Sequence, residues 1–415
     1  MALRSPTPFH NFWGTANPTT SAVWTSGTLP NEGAVPAYQN GNLEAGDFAY
    51  VAGDSTFYVC TNPGVAQANA VWAALSTSID RFAPRYIVGG PSDSTAAYDS
   101  GGFTYIPSNG NAAWQAQLQA ALNANAGDVH FRPGQFALVG ALTVPVGGTI
   151  QGAGDTTEFT ITAGAGDSLA AFILLADSKL SDCRITVSAG AASDDAVTTS
   201  IVTASPTGGA GIVRISNVLA AYTRNVASTA VCQSIFLAGA DMLLVGSNCS
   251  TTITGTLAPN TPADSLCAWR SAGGTVTSLT LSACSHSGSD AAVISGGLDL
   301  NLAQFTSAAT TVVGVGAYVE SIVNITGCKV TATTGYAVQI DSTDCTVGLS
   351  NNYLTTEDVA LAAFVSTGGG RVVGNSIFGL AAAFDTSGGQ NHAIGFNTLS
   401  GTATTAAGDE FAHNI

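Results

Sequence analysis

The chain has 415 residues, 46% of them hydrophobic and only 9% charged, with Lys+Arg 11 against Asp+Glu 27 and a net charge of −16. That balance excludes the basic footprint of nucleic-acid binding, and so apolar and charge-poor a chain is not disordered. The longest apolar run, "LAAFILLA" at 169–176, is far short of the roughly 18 residues that cross a bilayer, so no membrane partner is expected.

In chain order, residues 1–80 carry His10, Trp13, Trp24 and Trp72. The start "MALRSPTPFHNFWG" lacks a hydrophobic signal core, which predicts synthesis in the cytoplasm without export. Aromatic and polar residues alternate about two Gly-Asp turns in "NLEAGDFAYVAGDSTFYVCTNPGVAQANAVWAAL" (42–75), the pattern of a small antiparallel β-module closed by Trp72. It resembles the compact β-modules of phage fibre proteins and of some carbohydrate-binding domains. Trp72, Tyr50 and Tyr58 are accordingly candidates for stacking on sugar, against the plainer reading that they form the core of this module.

Residues 81–110, rich in Gly, Pro and Ser, read as a linker. Residues 111–127 read as a capping helix: Asn109 or Asn111 stands at its start, Trp114, Leu118, Ala121 and Leu122 recur on one face, and Gly127 ends it. From 128 the chain changes to short strands. Asp128–Arg132, Gln135–Val139, Leu142–Val144 and Thr149–Gln151 are separated by the Pro133–Gly134 turn and a Val146–Gly148 corner.

A helix followed by V-x-F-x-P-G-x-F and then V-P-x-G-x-x-I-x-G-x-G, as in "VHFRPGQF" (129–136) and "VPVGGTIQGAG" (144–154), resembles the opening of right-handed parallel β-helices, the pectate-lyase-like domains common in phage tailspikes. The resemblance implies an all-β solenoid over 128–405, a helix plugging its open end, and a tail at 406–415. It implies further a virion location, a homotrimer of rods, attachment to other virion proteins through the N-terminal region, and contact with a host-surface polysaccharide.

A solenoid repeats, and this chain does. An apolar residue, two spacers and then Cys, Asn or once Phe recur in "LSAC", "LAQF", "ITGC", "LSNN", "VVGN" and "IGFN", whose last residues Cys284, Phe305, Cys328, Asn352, Asn375 and Asn397 follow at 21 to 24 residues. That period is one coil. "LSDC" ending at Cys183 and "VGSN" ending at Asn248 are earlier, wider-spaced units. Cys183, Cys284, Cys328, Asn352, Asn375 and Asn397 are therefore expected to stack as a structural ladder, the cysteines as small buried hydrophobes and the asparagines bonding from coil to coil. The cysteines show neither CxxC pairs nor zinc-ligand spacing, and no metal or cofactor is expected.

Polysaccharide cleavage by a hydrolase needs two carboxylates about 5–5.5 Å or 6.5–9.5 Å apart. The candidates are Asp194 with Asp195 and Glu357 with Asp358, with Asp341, Asp344 and Glu320 as neighbours about one coil away; each also fits a turn. The polygalacturonase-like motif set is missing in order and spacing, and lysines and arginines are too scattered for a lyase centre. His286 and His392 stand alone and read as turn or coil positions. The reading is a virion appendage, tailspike-like or a capsid spike, rather than an enzyme. The alternatives are a polysaccharide depolymerase and a capsid decoration protein without a receptor role.

Overall fold

The computed structural model describes residues 11–14, 48–51, 56–62 and 71–74 and, from 85 onward, all but 101–102, 125–126, 164–169, 190–198, 204–210, 229–231, 239–241, 258–265, 272–277, 297–298, 318–321, 390 and 413. The chain divides into two units, Met1–Ala83 and Pro84–Ile415. In the first, Asn11–Gly14 pairs in parallel with Phe48–Val51, which pairs antiparallel with Thr56–Asn62, and that in turn antiparallel with Val71–Ala74. His10 and Trp24 lie outside the described residues.

The second unit is a right-handed parallel β-helix, the fold implied by the pattern at 129–154; parallel crossovers take this hand almost without exception. Three strand stacks run along it. One passes through Asp128–Phe131, Thr149–Gln151, Met242–Ser247, Ile322–Thr326 and Gly369–Val373 to Glu410–Ala412. A second includes Thr157–Ala163, Ser250–Leu257, Lys329–Ala332 and Tyr353–Thr356. The third includes Leu142–Val144, Ala170–Leu174, Tyr336–Ile340 and Ala362–Ser366. Alternation fixes which face is inside: Met242, Leu244 and Gly246 alternate with Leu243, Val245 and Ser247. In register, Ile150, Leu180 and Ile215 make an inward column continued by Leu281, Leu302, Ile325 and Leu349, with Gly246 where a Cβ would meet Leu281 at 2.8 Å and the Trp269 ring at 3.2 Å.

The corner between the first and second stacks has one cause repeated coil after coil. Asp182, Asn217, Asn248, Ala283, Gln304, Gly327, Asn351, Gly374 and Phe396 all have left-handed φ, from 51° to 66°. Each turns the chain so that the next residue points inward. Those next residues are Cys183, Val218, Cys249, Cys284, Phe305, Cys328, Asn352, Asn375 and Asn397, none more than 3% exposed. The unit read as ending at Asn248 is thus shifted by one: Asn248 holds the left-handed corner, where asparagine is tolerated, and Cys249 fills the buried position.

Two further expectations are corrected. Residues 85–107, read as part of a linker, contribute strands to the coil: Arg85–Gly89 lies parallel between Phe103–Pro107 and Asp128–Phe131. Tyr86, Val88, Tyr105 and Ile106 are buried, which a Gly/Pro/Ser count does not register. Within 406–415, Glu410–Ala412 pairs with His392–Gly395, so strand pairing runs on almost to the end of the chain.

The helix Trp114–Ala124 begins with Asn111, whose Oδ1 accepts the Ala113 N–H. It lies against the exposed edge of Leu142–Val144. Gln115 accepts from Val139 N–H and donates to Gly140 C=O, and Gln119 does the same with both groups of Thr143. Two side-chain amides thus stand in for a missing strand. Trp114 packs edge-on against Phe131 and Phe136, starting an aromatic column continued by Phe159 and Phe172.

Candidate carbohydrate-contact face

Of the carboxylate candidates, Asp194, Asp195 and Glu320 lie outside the described residues. Glu357 is exposed, its N–H bonded to Ala332 C=O. Asp358 Oδ1 accepts the N–H groups of Ala360 at 2.7 Å and Leu361 at 3.0 Å, which makes it the residue that turns the chain into the next strand. Asp341 and Asp344 are exposed in the turn before Thr346–Ser350. Asp344 lines, with Thr343, Thr346 and Asn391, an open polar groove of about 610 Å³. In the N-terminal unit, Tyr50 is the register partner of Trp13 and Phe57, Tyr58 of Ala49 and Ala74, and Trp72 of Cys60. The three candidate aromatics are not partners of one another.

The ladder is a continuous hydrogen-bond chain in its later coils. Asn352 donates to Asn375, Asn375 to Asn397 and Asn397 to Asn414, each Nδ2 to Oδ1 at 2.9 Å. The Oδ1 atoms of Asn352, Asn375, Asn397 and Asn414 accept the backbone N–H groups of Cys328, Asn352, Asn375 and Asn397 respectively, from the coil before. Cys328 behaves as a weaker equivalent, its sulfur accepting the Phe305 N–H at 3.4 Å. Burial pushes the thiols of Cys183 and Cys328 up, so both stay protonated and inert. Asn414 was not singled out in the sequence, although Phe411 stands three places before it as in the other units, because it follows Asn397 by 17 residues instead of 21 to 24.

The two histidines occupy buried strand positions rather than turns, because each finds a polar partner inside. His286 Nδ1 lies 2.8 Å from Thr251 Oγ1. His392 Nδ1 lies 3.3 Å from Asp409 Oδ1 and its Nε2 3.3 Å from Ser366 Oγ. Burial works against the Asp409 charge, but bonds from Thr386, the N–H groups of His392 and Ala406, and the imidazole hold its carboxyl below the usual range. The order Ser, His, Asp is that of a nucleophilic triad. Here Ser366 is 1% exposed, so the cluster fastens residues 406–412 to the coils before them.

Chemistry open to a large ligand lies on the outward side of the second stack. One column there runs Thr306, Lys329, Tyr353, Ser376, Thr398, and the next Thr331, Thr355, Phe378, Ser400. The Tyr353 and Phe378 rings lie 5.3 Å apart, tilted by 43°, and Lys329 Nζ stands 5.8 Å from the Tyr353 ring centre. Tyr353 is 43% exposed. Lys329 is the one charge in these two columns. Ring faces meet the C–H face of a pyranose, and the hydroxyls and the ammonium bond to its hydroxyls. The signal in the sequence was the aromatic at an outward position of "NYLTT" and "SIFGL", legible only once the inward register is known.

No protein-family model and no curated protein matches the sequence. Among solved structures, the chain is similar to bacteriophage CBA120 tailspike protein 3, with 11% identity over 85% of this chain and 62% of that one and a TM-score of 0.37. It is similar also to ORF18 of Geobacillus virus E2, with 12% identity over 90% of this chain and 70% of that one and a TM-score of 0.36. A third is the A-module of Azotobacter vinelandii mannuronan C-5 epimerase AlgE6, with 13% identity over 72% and 92% and a TM-score of 0.31. This chain thus spans less than two thirds of the length of the CBA120 tailspike.

Proposed function

We propose that this protein is a virion appendage that projects a rigid β-helix and contacts a host-surface polysaccharide through the outward face of its second stack. The observation that carries the reading is the outward-facing Lys329, Tyr353, Phe378 set, in which Lys329 and Tyr353 are exposed and Phe378 is half-buried. Aromatic rings stacked on the outside of a solenoid gain nothing from its core, and the hydroxyls of Thr306, Thr331, Thr355, Ser376, Thr398 and Ser400 stand beside them to bond a polar ligand. The coil supports the projecting role, because each turn is held by its neighbours and the whole is stiff. Attachment to the particle through the N-terminal unit, and assembly of three copies, belong to the same proposal.

The test is binding of the purified chain to an array of bacterial capsular and O-antigen polysaccharides. Tyr353→Ala is expected to weaken the tightest interaction at least tenfold without changing the melting temperature by more than a few degrees. Equal binding by parent and variant sinks the reading. Release of new reducing ends or unsaturated products during the incubation replaces it with depolymerisation.

A further inference from the structure

The groove at Asp344 lies on another side of the coil, where the third stack turns into the first, and its walls come from three successive coils. Thr346 is the register partner of Gly369, and Asn391 stands one residue before His392, the partner of Gly370. Backbone bonds tie these coils together at the groove itself: Gly369 N–H donates to Cys345 C=O at 3.1 Å and Gly370 N–H to Asn391 C=O at 3.2 Å. The Asn391 side chain lies against Gly408, where a Cβ would collide with Asn391 Oδ1. The polar wall is thus in place before any ligand arrives, which lowers the cost of binding.

Other aspartates at turns of this coil use their carboxylates within the fold. Asp177 Oδ1 accepts the Ile212 N–H, Asp358 Oδ1 those of Ala360 and Leu361, and Asp385 Oδ1 that of Ser387. Asp344 differs: its N–H donates to Ser342 Oγ at 3.4 Å, and its carboxylate accepts no hydrogen bond among the described residues. The two oxygens therefore face the groove with their acceptor capacity unused, beside the hydroxyls of Thr343 and Thr346 and the amide of Asn391. A carboxylate accepts from two neighbouring hydroxyls at once, while hydroxyls and an amide both donate and accept. The volume of about 610 Å³ is ample for a small ligand. Charge narrows the choice. Arg371 is exposed on the same outward face, two residues beyond Gly369, with the small Gly348 and Ala393 as register partners. One charge of each sign borders the site, and the net charge of −16 opposes anionic ligands. We infer that this groove is a second sugar site, taking one neutral pyranose unit whose adjacent ring hydroxyls bond to Asp344. The inference rests on the glycan-contact reading for the class of ligand, and it adds a contact away from the Tyr353 face.

The experiment is saturation-transfer NMR on the full chain with methyl α-glucopyranoside, methyl α-mannopyranoside and methyl α-galactopyranoside, and with methyl glucuronoside and glucosamine as charged comparators. Transfer to at least one neutral glycoside is expected, exceeding that to both charged sugars. The signal should fall at least fivefold in Asp344→Ala and in Asp344→Asn, which keeps the shape of the side chain, and should persist in Tyr353→Ala. Undiminished transfer in both Asp344 variants overturns the inference, and a loss in Tyr353→Ala alone does so while leaving the glycan-contact reading standing. Stronger transfer to a charged comparator, or none to any neutral glycoside, also overturns it, whatever the polysaccharide array shows. So does a melting temperature lowered by more than a few degrees in both Asp344 variants, since the carboxylate then serves the fold.

Discussion

Asn375 satisfies four hydrogen bonds at once. Its oxygen accepts the backbone and side-chain N–H of Asn352, and its amide donates to Leu349 C=O and Asn397 Oδ1. Buried polar groups left without partners cost about 1–3 kcal/mol each. Asn375→Ala is therefore expected to lose about 3 kcal/mol or more in urea unfolding. Asn375→Cys should lose less, because Cys328 shows that a sulfur at this corner still accepts the N–H of the previous coil. His286 gives a pH-dependent counterpart. Burial depresses its pKa to about 4, against weaker raising contributions from backbone groups of Gly288 and Thr251. The unfolded chain binds this proton near the ordinary value of about 6.5, so stability is complete above that pH and is lost as pH falls towards 4, on the order of 3 kcal/mol in all. His286→Gln should flatten the difference between midpoints measured at pH 7 and pH 4.5 relative to the parent. An equal slope in both proteins refutes the assignment.

At the scale of elements, the helix Trp114–Ala124 does more than bury a hydrophobic stripe. Gln115 and Gln119, four residues apart and so on one face, present their amides to the backbone of Val139, Gly140 and Thr143, leading into and along Leu142–Val144, as a neighbouring strand would. The double variant Gln115→Ala, Gln119→Ala is expected to speed hydrogen exchange at the Val139 and Thr143 amides at least tenfold, while amides near Ile325 are unaffected. A uniform change along the coil would mean that the helix supports global stability rather than the edge. The helix and the four strands of 128–151 were legible because a 3.6-residue periodicity gives way abruptly to alternation between turn residues. The strands of 85–107 were not. Gly, Pro and Ser between them masked the alternation, and only Arg85–Gly89 pairs with a strand beyond this stretch.

For the whole molecule, the coil determines where side chains point, and it leaves three outward faces with few charges. Side-by-side packing of such faces is the route to the proposed trimer. Light scattering on the purified protein is expected to give three times the 41.5 kDa of the chain, and a monomer at micromolar concentration refutes the assembly. The glycan-contact face was read from the sequence only as a possibility, with Tyr50, Tyr58 and Trp72 as its candidates. Lys329, Tyr353 and Phe378 were overlooked because they are spread over 50 residues of sequence and meet only when successive coils are stacked.

The sequence by itself determined the solenoid, its helix at the open end and the spacing of its later coils, because these depend on local periodicity and on a residue type recurring once per turn. It also marked Cys284, Cys328, Asn352, Asn375 and Asn397 as equivalent, since equivalence along a coil is a matter of counting. Only the tertiary structure decided the phase of each corner, which put Cys249 rather than Asn248 inside and Phe396 outside. A left-handed φ is a property of the backbone in place, and one residue of slip exchanges the buried side chain for the exposed one.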